Sequence, residues 1–293
     1  MKKCAFLTLS EPGNFVIDDE WAVAPLSDLG WDVFIIPWRQ QDLPWDSFDA
    51  VIIRSTWDYY ADIDEFIKVL IRINQATRLG NPLSLVQWNL SKTYLKDLDG
   101  QGVGIVPTIW PGFLRGQELS ALCKGLACEE VVVKPVIGAN GEDTFRLRRS
   151  SDTARFTELG VLFNGRAVMV QKFMDAILVE GEYSLFFFNG VFSHAVRKVP
   201  HPNDFRSQEE RGTEIIPVTP EPGLLKAAQK ALATIETPLY ARIDMIRNED
   251  GHFLVMEFEL IEPSLYLRTD PQAPGRFAQA VNDWFNQEPR PAS

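Results

Sequence analysis

The stretch that decides the fold is Tyr240–Leu260, YARIDMIRNEDGHFLVMEFEL. Two runs rich in Ile, Met, Phe, Leu and Val flank the turn residues Asn-Glu-Asp-Gly, which predicts a β-hairpin. Charged residues interrupt these apolar strands at Arg242, Asp244, Glu257 and Glu259. Because side chains alternate between the two faces of a strand, Arg242 and Asp244 share one face, and Glu257 and Glu259 share one face.

Three carboxylates on one face of a sheet repel one another unless a cation lies between them. Such oxygen ligands suit Mg²⁺, which takes one or two carboxylates and completes its octahedron with phosphates and water. Asp244, Glu257 and Glu259 are therefore predicted metal ligands, and Arg242 beside them is suited to phosphate. The alternative is an acidic ladder that faces solvent.

The run Val131–Pro135, VVVKP, places Lys134 at the end of a predicted buried strand. Such a lysine either extends its ammonium group to the surface or meets an anion such as phosphate. Gly138 and Gly141 follow in a Gly-Ala-Asn-Gly loop, whose backbone N–H groups can hold a phosphate, although a plain turn is the alternative. This is neither the P-loop nor the Rossmann glycine pattern, which disfavours those two nucleotide folds.

The first 87 residues alternate strands with a helix. Short β-type runs stand at Cys4–Leu9, Asp32–Ile36 and Ala50–Arg54, and helical spacing stands at Trp21–Leu29. This interval predicts a small α/β lobe with a parallel sheet. The loop from Arg54 to Tyr60 follows its third strand, at the edge where parallel sheets usually bind ligands.

The rest of the chain contains a second predicted hairpin, because Asn189-Gly190 between two β-rich runs favours a type I′ turn. A polar stretch at 201–213 is predicted to be a mobile loop, and the tail from Glu288 is predicted to be disordered. The other predicted elements are a helix that begins near Asn89 or Ser91 and carries Lys92, strands at 131–134, 145–147 and 167–173, and helices at 222–235 and 276–285.

The composition limits the classes of partner that the protein is expected to bind. The 293 residues are 45% hydrophobic, and 29 basic against 40 acidic side chains give a net charge of −11, which argues against a nucleic-acid partner. No apolar run reaches the length of a membrane span or a secretory signal. The three cysteines, Cys4, Cys123 and Cys128, fit reduced thiols, so we expect a cytoplasmic protein.

Together these residues resemble the ATP-grasp superfamily, specifically its glutathione-synthetase-like and ribosomal-protein glutamate-ligase-like branch. The resemblance covers residues 88–265 and rests on short motifs in the family's order: a lysine after Asn89, Lys134-Pro135 with its glycine loop, Gln171-Lys172-Phe173-Met174, Gly181-Glu182, Arg242-x-Asp244 and Glu257-x-Glu259. It implies an ATP-grasp fold of class α/β with α+β lobes. The implied domains are an N-terminal α/β lobe at 1–87, a central lobe with the glycine loop at 88–175 and a C-terminal lobe with the metal site at 176–287.

The resemblance also implies roles for these residues, with ATP and two Mg²⁺ ions as cofactors and Mn²⁺ able to substitute. Lys92 and Lys134 would contact the phosphates, together with the loop at Gly138 and Gly141. The other implied roles are adenine binding at Gln171, Lys172 and Met174, ribose binding by Glu182, contact of Arg242 with the γ-phosphate, metal binding by Asp244, Glu257 and Glu259, and binding of the acyl phosphate or substrate carboxylate by Arg206 with Arg197. For Arg197, a surface charge on a strand is the alternative.

Two features depart from the common family pattern. Glu259 stands where relatives usually carry an asparagine metal ligand, and Ile261–Leu265 replaces the usual proline-glycine segment. With Arg54, Trp57 and Asp58, this variant is similar to the subgroup that contains the cyclo-ligase of the D-cycloserine ring. If those three residues face the cleft with Ser264, a small zwitterionic, amino-acid-like substrate is expected.

The implied reaction is ATP-dependent phosphorylation of a carboxylate to an acyl phosphate, followed by attack of an amine. The enzyme would then be a carboxylate–amine ligase that joins two small molecules or cyclises one, and a homodimer is expected from its relatives. Two alternatives stay open at this point. A ligase for a protein or peptide terminus predicts a broad open groove, and a non-catalytic nucleotide-binding module predicts no turnover.

Overall fold

A computed structural model describes residues 1–287 and builds the N-terminal part around a four-stranded parallel sheet of order β2-β1-β3-β4. Its strands are β1 (Lys2–Thr8), β2 (Trp31–Pro37), β3 (Ala50–Ser55) and β4 (Arg78–Gly80). Its helices are α1 (Val23–Asp28), α2 (Ile63–Ala76) and α3 (Leu83–Asn89). The predicted parallel sheet is therefore confirmed, and the wholly buried β3 delivers the following loop to the carboxyl edge.

The middle of the chain forms a second, antiparallel sheet of order β5-β8-β6-β7. Its strands are β5 (Thr108–Gly112), β6 (Glu130–Pro135), β7 (Phe145–Arg148) and β8 (Val168–Lys172), with helices α4 (Tyr94–Gly100), α5 (Leu119–Gly125) and α6 (Thr153–Leu162). Buried and half-buried residues alternate along β6, so one face packs on α5 and α6 and the other is left for a cleft.

A third sheet, antiparallel and of order β11-β10-β9-β12-β13, carries the charged hairpin. Its strands are β9 (Glu182–Phe188), β10 (Val191–Val199), β11 (Glu214–Pro217), β12 (Tyr240–Arg247) and β13 (Phe253–Glu259), with helices α7 (Ala176–Val179), α8 (Pro222–Leu232) and α9 (Ala273–Asn286). Both predicted hairpins are confirmed. Asn189 and Gly190 have φ of 47° and 78°, as a type I′ turn requires.

Helix α9 joins the first and third sheets into one core. The Phe277 ring lies 6.3 Å from Phe6 of β1 and 5.2 Å from Phe188 of β9, measured between centroids. Trp31 and Tyr240 are buried in the same cluster. This shared core fixes the N-terminal sheet against the sheet that carries Arg242 and the acidic residues.

The structure corrects the predicted helix through Lys92. Helix α3 ends at Asn89 and α4 begins at Tyr94, so Lys92 lies in the joint, where its backbone N–H donates to the Val136 carbonyl at 2.7 Å. The Asn89 amide explains the break, since it bonds the backbone around the end of β13, at the Phe258 carbonyl (2.7 Å) and the Leu260 N–H (2.9 Å).

The tail from Glu288 lies outside the described residues. Within residues 1–287, no helix is long and apolar enough to cross a membrane.

Candidate active site

The central and C-terminal sheets enclose a cleft whose floor is the charged face of the C-terminal sheet. Strand register builds this face. On β12 and β13, Arg242 pairs with Glu259 and Asp244 with Glu257, and on the other side of β12, Asp244 pairs with Ser184 of β9. Most predicted site residues line the cleft: Trp57, Lys92, Lys134, Gly138, Gly141, Gln171, Lys172, Met174, Glu182, Arg206, Arg242, Glu257, Glu259 and Ser264.

Asp244, the third predicted metal ligand, does not line the cleft. Its side chain is buried beneath the cleft floor, where Arg242 donates to both carboxylate oxygens at 3.0–3.2 Å and Lys198 Nζ lies 3.3 Å away. Ser184 also donates to it. Burial acts to raise the pKa of Asp244, but Arg242 and Lys198 outweigh burial and hold the pKa well below its ordinary range.

The three predicted carboxylates nevertheless stand on neighbouring positions of one hairpin face, where the charge of Asp244 acts to raise the pKa of Glu257 and of Glu259. Among residues 1–287, no group of three His, Cys, Asp or Glu side chains is arranged to hold a metal ion. Each of the three carboxylates is ion-paired with a neighbouring cation. Asp244 pairs with Arg242 and Lys198, Glu257 with Lys92, and Glu259 with Arg242.

Lys92 and Lys134 reach the cleft in different electrostatic settings. Lys92 Nζ lies 2.8 Å from Glu257 Oε1 and donates to the Gly138 carbonyl at 2.6 Å. Lys134 has no ion pair with another described side chain, and burial lowers its pKa more than the nearby Glu257 raises it. Lys134 is therefore a cation in the cleft that still needs an anion.

The pKa values of the acidic residues at and just after the end of β13 are also shifted. Burial raises the pKa of Glu259 to about 7, although Arg242 opposes the shift. Burial, with the charge of Glu259 next, raises the pKa of Glu262 to about 8. Glu257 differs, because Lys92 and Lys134 outweigh its burial and lower its pKa. The cleft thus holds more carboxylate than its own cations stabilise, a condition that a bound cation would relieve.

One end of the cleft is apolar. Val106, Val132, Met174, Ile177 and Met256 line it and belong to one hydrophobic cluster. The Met174 N–H, which follows the end of β8, has no hydrogen-bond partner among residues 1–287. The Lys172 N–H is different, because it donates to the Pro107 carbonyl at 2.9 Å. An apolar slot with one free donor at its rim suits a flat heteroaromatic base such as adenine.

The glycine loop lies across from the charged floor. Asn140 and Gly141 have φ of 56° and 63°, the left-handed region that glycine adopts without strain. Asn140 anchors the loop, because its amide donates to the Trp57 carbonyl at 2.9 Å. Arg211 from the 201–213 loop reaches Glu142 at 3.2 Å, so the two loops meet at the mouth of the cleft.

Arg197 does not line the cleft, and its neighbour Lys198 does. Arg197 Nη1 donates instead to the Glu180 carbonyl at 3.3 Å. An uninterrupted hairpin around Asn189-Gly190 would pair Glu182 with Arg197, but a bulge between Phe192 and His194 shifts the register, so that Glu182 pairs with Lys198. The Lys198 ammonium contacts Glu182 and Asp244, which raise its pKa despite burial.

The N-terminal loop contributes less side-chain surface than predicted. Arg54 is only 1% exposed and lies outside the cleft, where it bonds Asp19 at 2.9 Å. Asp58 also lies outside, because it accepts from the Trp38 indole at 2.6 Å and from Arg39 at 3.2 Å. Trp57 lines the cleft as predicted, and its indole N–H donates to the Glu262 carbonyl at 2.8 Å.

Arg206 lies on the 201–213 loop at the cleft wall. Its guanidinium bonds both oxygens of Asp204 at 2.8–3.2 Å, and this hydrogen bonding is the main reason that the pKa of Asp204 falls to about 2. The pair positions one terminal edge of a guanidinium at the cleft, which suits a carboxylate or phosphoryl oxygen.

The donor set fits ATP and magnesium. Lys92, Lys134 and Arg242 supply cations for phosphates, and the apolar end suits a base. Glu257 and Glu259 are partly exposed to the cleft, with 29% and 26% of their side-chain surface accessible. Two carboxylates completed by phosphate and water match the usual coordination of Mg²⁺ in nucleotide sites.

Three sheets around a cleft with this donor set define an ATP-grasp ligase. Residues 115–253 match the ATP-grasp domain of prokaryotic glutathione synthetase, and residues 4–81 match the N-terminal domain of D-cycloserine synthetase DcsG. The chain belongs to the ATP-grasp family of the cycloserine biosynthesis protein DcsG. It is 34% identical to that protein from Streptomyces lavendulae over 265 residues, which are 84% of this chain and 87% of the relative.

Solved structures agree. The crystal structure of D-cycloserine synthetase DcsG superposes with a TM-score of 0.82 at 29% identity and covers 97% of this chain and 100% of its own. A RimK domain ATP-grasp protein from Sphaerobacter thermophilus shares the fold alone, with a TM-score of 0.70 at 13% identity and coverage of 95% and 98%. This chain is thus an ATP-dependent ligase of the ATP-grasp family.

Proposed function

We propose that the protein is a carboxylate–amine ligase for a small amino-acid-like substrate and acts through an acyl phosphate. The observation that carries this proposal is the juxtaposition in one cleft of an apolar slot, three phosphate-suited cations and two partly exposed glutamates. The cleft of a ligase for protein termini would be broad and open. Here the 201–213 loop and the glycine loop meet across the mouth, which favours a small substrate.

In the proposed reaction, an oxygen of the substrate carboxylate attacks the γ-phosphorus of ATP, and ADP leaves. An amine nitrogen then attacks the acyl carbon, inorganic phosphate leaves, and the amine loses a proton. Lys92, Lys134 and Arg242 would neutralise the charge on the transferring phosphoryl group. Arg206 would hold the acyl phosphate, and no side-chain nucleophile is required.

The remaining roles in this proposal follow the cleft from end to end. The Met174 N–H would pair with adenine beside Gln171 and Lys172, Glu182 would bind the ribose, and the loop at Gly138 and Gly141 would cover the phosphates. Glu257 and Glu259 would hold Mg²⁺, which supplies charge neutralisation on the phosphates when bound. Two ions, substitution by Mn²⁺, the domain boundaries at 87 and 175, a homodimer and a cytoplasmic location stay predictions.

Similarity to D-cycloserine synthetase raises intramolecular cyclisation as a form of this reaction. The test is ADP release with Mg-ATP over a panel of amino acids, supplied alone and in pairs. Turnover with a single amino-acid derivative would indicate cyclisation, and turnover that requires a pair would indicate ligation. Tight ATP binding without ADP release for any member would refute a small-substrate ligase and favour a nucleotide-binding module.

A further inference from the structure

The segment at residues 260–265, which follows β13, is anchored by side chains that bond its backbone carbonyls. Six consecutive carbonyls each accept a hydrogen bond from a different side chain, at 2.8–3.2 Å. In chain order the acceptor and donor pairs are Leu260 with Asn81, Ile261 with Tyr240, Glu262 with Trp57, Pro263 with Arg54, Ser264 with Arg242, and Leu265 with His194. The last pair requires the proton of His194 on Nε2, since a carbonyl only accepts.

These donors come from both sides of the segment. Asn81, Trp57 and Arg54 belong to the N-terminal part of the chain, and the other three belong to the C-terminal sheet. Because every carbonyl is fixed in direction, the face on which each side chain of the segment leaves the backbone is fixed as well. Ile261 and Leu265 are buried at 2% and 0% exposure, whereas Glu262 and Ser264 line the cleft.

The Glu262 carboxylate is displayed by this rigid backbone without a partner. It has no hydrogen bond and no ion pair with another described residue, although burial raises its pKa to about 8. A carboxylate that is shielded from water and lacks a cation is costly to keep ionised. No other use of it is visible in the fold, because the anchoring of the segment involves only its backbone carbonyl.

The surroundings of Glu262 favour one kind of ligand. Trp57 and Tyr59 line the cleft near Glu262, since the Trp57 indole donates to the Glu262 carbonyl and the charge of Glu262 acts to raise the pKa of Tyr59; the Phe15 ring packs edge-on against Trp57 at 5.0 Å between centroids. Aromatic faces beside a carboxylate bind a small organic cation through cation–π attraction and an ion pair.

We infer that Glu262 binds the ammonium group of the substrate, so the substrate carries a free primary amine close to the carboxyl group that is activated. This inference rests on the proposed function and specifies its substrate class as an α-amino acid or a close derivative. Glu262 is thus a specificity-determining residue, and Arg54, Trp57 and His194 are positioning residues that act through the backbone of its segment.

The test is direct binding in the presence of Mg²⁺ and a non-hydrolysable ATP analogue, which needs no turnover. Alanine and serine of both hands are compared with lactate and glycerate, in which a hydroxyl replaces the ammonium group. We expect the wild type to prefer the amino compounds by at least about tenfold. In Glu262→Gln this preference should disappear, and in Glu262→Asp it should be partly kept.

Two further measurements separate this role from others. Affinity for the ATP analogue and for Mg²⁺ should be unchanged in Glu262→Gln, and Glu236→Gln, which removes an exposed charge outside the cleft, should behave as the wild type. Equal responses of the wild type to the amino and hydroxy series, including no response to either, would overturn the inference. A weaker Mg²⁺ requirement or lost nucleotide binding in Glu262→Gln would also overturn it. ADP release without discrimination would leave the ligase proposal intact, so the two failures are distinguishable.

Discussion

Replacing Lys134 by methionine should make the nucleotide-free protein more stable while weakening ATP binding. Lys134 is an ammonium group whose pKa burial lowers, and it has no ion pair among the described residues. Its charged form is thus disfavoured by folding, and a methionine of similar length fills the same space without charge. Removing such a functional strain commonly raises the free energy of unfolding by about 0.5–2 kcal/mol.

The same substitution removes a charged hydrogen bond to phosphate, worth about 1.5–3 kcal/mol, or roughly 10- to 150-fold in the Kd of ATP. Saturation at about 100 times the wild-type Kd stabilises the wild type by about 2.7 kcal/mol and the variant by much less. Thermal unfolding with and without Mg-ATP measures both effects. Addition of ATP should therefore shrink or reverse the stability difference. A Lys134→Met protein less stable than the wild type without ATP, or an equal gain from ATP in both proteins, would refute the reasoning.

Lys198→Met is the matched control, because the same chemical change should lower the free energy of unfolding instead of raising it. Lys198 contacts Glu182 and Asp244, and its removal leaves the Glu182 carboxylate buried without its cation. Breaking a buried pair from one side costs about 3–5 kcal/mol. Thermal unfolding should thus place the two variants on opposite sides of the wild type in the absence of nucleotide. If both shift in the same direction, the assignment of Lys134 as unpaired is wrong.

Three further predictions concern other parts of the site. Glu257→Ala should lower kcat by more than about 100-fold and cost about 1–3 kcal/mol of stability, since it removes a proposed metal ligand and leaves the mostly buried Lys92 without its ion-pair partner; steady-state ADP release and thermal unfolding check the two effects. Burial lowers the pKa of His194 to about 4. As pH falls from 6.5 to 4, the unfolded chain therefore binds the proton first, and about 3 kcal/mol of unfolding free energy is lost. Urea titrations across this range should show that the unfolding free energy falls with pH in the wild type and falls less steeply in His194→Gln. Arg54→Ala leaves Asp19 buried without its cation and should cost about 3–5 kcal/mol of unfolding free energy, whereas a substrate contact would instead change KM with little loss of stability.

Local patterns predicted the strands and the charged residues well, because period-2 alternation and turn chemistry act within a few residues. The hairpin around Asn189-Gly190 and the face shared by Glu257 and Glu259 required no tertiary information. The strand register beyond a bulge, in contrast, could not be predicted without tertiary information. The extra residue between Phe192 and His194 moves Lys198 into the position predicted for Arg197, and no turn signal marks that bulge in the sequence.

Arg54, Asp58 and Asp244 do not line the cleft, for a related reason. A charged residue beside a predicted site can face the ligand or neutralise another side chain, and only the three-dimensional partners decide between these roles. Arg54 forms an ion pair with Asp19, and Asp58 bonds Trp38 and Arg39. Asp244 pairs with Arg242 and Lys198. The position of Lys92 was harder still to predict, because the amide that interrupts its helix, Asn89, bonds a strand that lies 169 residues further along the chain.

The anchored segment from Leu260 to Leu265 connects these corrections to function. The sequence predicted that Arg54 and Arg242 bind a ligand, yet each donates a hydrogen bond to a carbonyl of this segment. Arg242 also faces the cleft. The N-terminal sheet therefore shapes the substrate end of the cleft mainly by fixing the backbone that displays Glu262. This arrangement explains how a lobe with few side chains in the cleft can still influence the choice of substrate. The proposed ATP contacts lie outside the N-terminal sheet, and one of them, Arg242, also anchors this segment through the Ser264 carbonyl.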